Sequence, residues 1–100
     1  MRAERSGDAR IVLVVIGELD IATSGAFVAA VQERLGEAPL LLDLRELSFI
    51  DSSGVHALDG IIAQADREGA PLTIHPELHE HVRQVLDMTG MMPLLPLDPA

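Results

Sequence analysis

One hundred residues without a linker-like stretch hold one domain, residues 1–100, and leave no room for a second. A 48% hydrophobic share supplies one aliphatic core, and Phe27 and Phe49 as the only aromatics argue against stacking on nucleic-acid bases. A net charge of −9, with all seven basic residues arginine, repels nucleic acid and anionic lipid and suits a partner with a basic face; the lack of cysteine excludes disulfides and thiolate chemistry.

The first ten residues are polar: Arg2–Ser6 reads as a short edge strand or a frayed end, and Gly7-Asp8 as a turn. No apolar signal core follows Met1-Arg2-Ala3-Glu4-Arg5, and the longest aliphatic run, Ile11–Ile16, has only a strand's length. The expectation is a chain used whole, soluble and cytoplasmic, with no membrane insertion. Ile11–Ile16 is continuous and β-branched, which predicts a strand buried on both faces and ended by Gly17. Thr23 or Ser24 caps a helix with Phe27, Val31 and Leu35 at four-residue spacing, Ala26 and Ala30 beside them, and Gly36 as its stop. Leu40–Leu44 is the second strand, and residues 45–50 connect it to a junction. A second helix runs from Ser52 to about Glu68, with Val55, Leu58, Ile62 and Ala65 inward, His56 and Asp59 outward, and Gly69 as stop. Pro71–Ile74 is a strand. Leu78, Val82, Val85, Leu86 and Thr89 trace a third helix before Gly90, and Leu94–Leu97 is a last edge strand. The order β-α-β-α-β-α-β predicts a sheet with parallel pairs and crossover helices.

The junction Asp51-Ser52-Ser53-Gly54 is the most informative segment. It sets two hydroxyls and free backbone N–H groups at a helix start, a setting that tolerates a phosphate. One reading makes Asp51, Ser52 and Ser53 helix caps, with Gly54 allowing a close backbone approach. The other makes Ser52 a regulatory serine, where phosphorylation adds about −1.5 to −2 charges. A catalytic serine is disfavoured, because the flanks lack Gly-x-Ser-x-Gly and His56 is the only nearby base. His79 and His81 point about 200° apart on a helix, so with His75 they read as surface residues rather than a metal site. Asp20 and Asp43, each ending a strand, either form a cation site or cap loops. With no lysine and no glycine-rich phosphate loop, P-loop nucleotide binding is excluded. No cofactor is expected.

Three segments in order resemble the STAS domain, specifically the bacterial anti-sigma factor antagonists. They are Val15-Ile16-Gly17-Glu18-Leu19-Asp20 with Thr23; Leu41-Leu42-Asp43-Leu44 through Leu47-Ser48-Phe49-Ile50 to Asp51-Ser52-Ser53-Gly54-Val55; and Val85-Leu86-Asp87-Met88-Thr89-Gly90-Met91. The likeness spans about residues 9–97. It implies an α/β fold, a single STAS domain with a four- or five-stranded mixed sheet and crossover helices packed against it. It also implies a non-enzymatic partner switch in transcription regulation. The unmodified protein binds an anti-sigma factor serine kinase and so frees a sigma factor. The kinase phosphorylates Ser52, the complex parts, and a phosphatase restores the serine. Asp20, Asp51, Ser52, Ser53, Gly54, His56 and Asp59 are the expected partner-binding residues, His56 and Asp59 because they lie on the outward face of the second helix. His56 stands where close relatives often carry glycine, and the N-terminal strand region is short and polar. The alternative is a structural STAS docking subunit of a bacterial lipid-transport ABC system, which needs no serine pair; a nucleotide-binding STAS module is weakened by the missing lysines.

Overall fold

The computed structural model describes residues 1–5, 7 and 9–99; Ser6 of the expected edge strand and Asp8 of the expected turn lie outside the described residues. Strand β1 (Arg2–Arg5) pairs antiparallel with β2 (Ile11–Val14). After β3 (Gly17–Leu19) and helix α1 (Ser24–Arg34) comes β4 (Leu40–Asp43), which lies parallel to β2. Strand β5 (Leu47–Ile50) pairs parallel with β3, and helix α2 (Ser52–Glu68) leads to β6 (Leu72–Ile74), parallel to β4. Helix α3 (Glu80–Met88) follows, then a single 3-10 turn over Met92–Leu94. The result is a mixed four-stranded sheet in the order β1-β2-β4-β6 and a two-stranded sheet β3-β5. The fold is α/β, with helices crossing between parallel strands as alternation requires.

Two strands and one connection depart from the sequence reading. Ile11–Ile16 is not one strand: Val15 N–H still donates to the Asp43 carbonyl at 3.0 Å, but Ile16 is 44% exposed and Gly17 turns the chain at φ 89°. Instead of ending the strand, Gly17 opens β3, its N–H donating to the Glu46 carbonyl at 3.0 Å. The neighbouring chain jogs at the matching place, between β4 and β5, so residues 47–50 form a strand rather than a connector. Leu94–Leu97 is no strand. Pro93 and Pro96 lack N–H donors, and only one bridge forms, Ile74 N–H to the Pro96 carbonyl at 2.9 Å and Asp98 N–H to the Ile74 carbonyl at 2.8 Å.

The core is one cluster. β2 and β4 contribute Leu13, Leu40 and Leu42; α1 contributes Phe27 and Val31, four residues apart as expected. α3 contributes Val82 and Leu86 and packs against β5. In α2 the inward face is Gly54, Ala57, Leu58, Ile61 and Ala65. The expected stripe was therefore right for Leu58 and Ala65 and rotated for its other members: Val55 and Ile62 are half-buried flanks, and Ile61 holds the central place. Two adjacent isoleucines leave periodicity undecided, and the seating of Gly54 decides it.

Candidate functional site

The site is built where α2 leaves β5. Asp51 has extended backbone (φ −117°, ψ −172°), and its Oδ1 accepts from Gly54 N–H at 3.1 Å. Its carbonyl accepts from Val55 N–H at 2.9 Å, and its own N–H donates to the Leu19 carbonyl at 3.2 Å. One residue thus caps α2 and ties the helix start to the end of β3. Gly69, left-handed at φ 65°, closes the other end. The cap is Asp51, which leaves both serines uncommitted: among the described residues, no hydrogen bond holds the hydroxyl of Ser52 or Ser53. Ser52 is exposed and Ser53 half-buried.

Gly54, expected in the contact set, is buried. Its part is spatial. A Cβ there would overlap the Leu19 carbonyl oxygen and lie 2.7 Å from Ile50 Cγ1. The bare backbone lets α2 start in contact with both strands beneath it.

Asp20, half-buried, is bonded within its own turn. Its Oδ1 accepts from the N–H groups of Ala22 and Thr23 at 3.0 and 3.1 Å and lies 3.0 Å from Thr23 Oγ1. Thr23 Oγ1 accepts from Asp20 N–H at 2.9 Å, and Ser24 Oγ donates to the Asp20 carbonyl at 2.5 Å. This carboxylate shapes a turn, and what the turn displays is Ile21, 82% exposed.

Between α1 and α2 runs a groove of about 610 Å³, lined by Ile21, Ser24, Val28, Ala29, Ser52 and His56 among others. The fold thus brings Ser52, Ser53 and His56 together, with Ile21 as an unforeseen neighbour. Asp59 is exposed but borders a different cleft with Ile62, Asp66 and Leu94, so it is not part of this groove. His56 has no hydrogen bond to Ser52 among the described residues.

Asp43 is 6% exposed at the end of β4 and is held by its own partner. Arg45 Nε donates to its Oδ1 at 3.0 Å and Nη2 to its Oδ2 at 2.8 Å. That forked hydrogen bond keeps the Asp43 carboxyl below the usual carboxylate range, against the opposing effect of burial. Asp20 and Asp43 are each engaged in local caps and pairs, and among the described residues no group of three or more His, Asp or Glu side chains could hold a metal ion. His75 and His79 accept at Nδ1 from the N–H groups of Glu77 and His81 at 3.1 and 3.3 Å, which makes them turn and cap residues. His81 is half-buried and stacked on Phe49 with ring centroids 5.3 Å apart, so it is not the surface residue expected. Among the described residues, no helix is long and apolar enough to cross a membrane.

An α/β domain presenting an uncommitted serine at a capped helix start is the class of molecule so defined. The family model of the STAS domain matches residues 1–100, and the chain belongs to that family. An antisigma-factor antagonist STAS domain from Rhodobacter sphaeroides is 33% identical, over 73% of this chain and 80% of that one, with a TM-score of 0.59. The protein TM1081 of Thermotoga maritima is 19% identical over 96% of this chain and 83% of its own, with a TM-score of 0.79. The Bacillus cell fate determinant SpoIIAA in its phosphorylated form is 22% identical over 94% and 86%, with a TM-score of 0.67. No curated protein matches the chain.

Proposed function

We propose that this protein is an anti-sigma factor antagonist that switches partners through Ser52. Unmodified, it binds an anti-sigma factor serine kinase in the cytoplasm and so releases a sigma factor. Phosphorylated on Ser52, it lets go, and a phosphatase resets it. The chain does no chemistry of its own: the kinase brings the nucleotide, the magnesium and the base.

The observation that carries this reading is the free Ser52 hydroxyl, exposed on a helix start that Asp51 and Gly54 hold rigidly. A phosphate there adds about −1.5 to −2 charges. The α2 N-terminus offsets part of the cost, on the order of 0.3–1 kcal/mol at an exposed site, so the fold survives the modification. A partner fitted to a neutral hydroxyl does not tolerate the same charge. The likeness to an antisigma-factor antagonist domain at 33% identity supports the same reading.

Incubation with a purified anti-sigma factor serine kinase and ATP, followed by mass-spectrometric mapping, is the test. Phosphate is expected on Ser52. Phosphate on Ser53 alone, or on neither serine, counts against the switch; a stable complex without phosphate would favour a permanent docking subunit.

A further inference from the structure

We propose that the groove between α1 and α2 is the slot into which the anti-sigma factor kinase inserts an apolar side chain, with Ile21 as this chain's own anchor at its lip. The proposal rests on the reading of Ser52 as the switch residue and says how that residue acts.

Three observations converge on the groove. The first is charge. The chain carries 23 charged residues if the Lys, Arg, Asp and Glu side chains are counted, 7 basic and 16 acidic, yet among the described residues none lines this groove and His56 is its only titratable side chain. In so acidic a protein an uncharged, mostly apolar cleft is a local exception, and it offers no carboxylate to pair a basic side chain. The second is Ile21. Single exposed apolar residues are ordinary on protein surfaces. This one, 82% exposed, sits on a turn braced by the Asp20 carboxylate, the Thr23 hydroxyl and the Ser24 hydroxyl. The side chain is therefore offered at little ordering cost on binding, which is what an interface anchor requires. The third is continuity: Ser52 and Ser53 line the same groove as Ile21.

Together these explain how one phosphate can break a complex. A bound apolar side chain dries the groove. A phosphoserine at its wall needs water, and a dry neighbour denies it water. Asp20 enters this scheme by holding Ile21 in place.

The test is calorimetric titration with a purified anti-sigma factor serine kinase that phosphorylates Ser52. Three variants are compared with wild type: Ile21→Ser, Ala29→Leu and Ser52→Asp. Ile21 and Ala29 are exposed, so neither change should shift the thermal midpoint appreciably. Ile21→Ser removes the anchor and Ala29→Leu fills the groove; each is expected to raise Kd about tenfold or more. If both bind within twofold of wild type while Ser52→Asp loses affinity, the groove proposal is overturned and the switch stands. If Ile21→Ser and Ala29→Leu lose affinity but Ser52→Asp does not, the groove stands and the charge switch falls. If no such kinase binds the wild-type chain, both are overturned. Sedimentation showing a wild-type dimer that Ile21→Ser dissociates would assign the groove to a second copy and overturn the kinase as occupant.

Discussion

Replacing Gly54 with alanine should destabilise the protein, although alanine is the better helix former. Gly54 lies in the first turn of α2, and helix propensity alone would favour the change by about 1 kcal/mol. The added Cβ, however, overlaps the Leu19 carbonyl oxygen and comes within 3.0 Å of its carbon and 2.7 Å of Ile50 Cγ1. Two of these atoms are strand backbone and cannot rotate away. The helix start must lift, straining the Asp51 N–H to Leu19 carbonyl bond of 3.2 Å. Overpacking of this kind costs about 1–3 kcal/mol, occasionally more. The net loss expected is therefore up to about 2 kcal/mol, and larger if the bond to Leu19 breaks. The same helix supplies a control. Gly60 has nothing within 4 Å of an added Cβ, so Gly60→Ala should stabilise by up to about 1 kcal/mol. Urea denaturation of both variants at one temperature reads the sign of each change. A Gly54→Ala protein at least as stable as Gly60→Ala would refute the close approach of α2 to β3.

Leu58→Ala should cost about 2–5 kcal/mol by opening a cavity at a site with 0% exposure, while Asp59→Arg should stay within about 0.5 kcal/mol of wild type in the same denaturation series. Because Asp59 borders the other cleft, its substitution should weaken kinase binding less than Ile21→Ser does, as paired titrations will show. Arg45→Met should make the protein acid-sensitive. The folded-state carboxyl of Asp43 lies below its ordinary 3.8 because of Arg45, so the pair's stabilisation is complete above that value and is lost as pH falls through the lower folded one. Without Arg45, burial raises the same carboxyl, and stability should begin to fall at a higher pH; denaturant midpoints between about pH 7 and pH 2.5 compare the two, and identical profiles would contradict this.

Helix α2 was legible in the sequence from both ends, because Asp51 and Gly69 are local signals whose effect does not depend on distant contacts. Its facing was less so, since Ile61 and Ile62 are equally apolar and the choice is made by Gly54 seating on Leu19. Strand β5 was hidden because Leu47–Ile50 runs buried, exposed, exposed, buried, without a period of two. Phe49, in the middle of that stretch, is exposed and stacks on His81. Strand β3 was hidden because Gly17, the expected stop of the aliphatic run, opens it instead, and the jog comes from a positive φ there that composition does not display. Ser52 stood out as a site from its neighbours in sequence. Ile21 did not, because the groove that joins it to Ser52 arises from packing α1 against α2.

The most direct measurement is the affinity of a purified anti-sigma factor serine kinase for this chain with and without a phosphoserine installed at position 52. The unmodified chain is expected to bind, and the phosphorylated chain to bind at least about a hundredfold more weakly, a difference of about 2.7 kcal/mol. Equal affinities, with both proteins folded by circular dichroism, would contradict the switch.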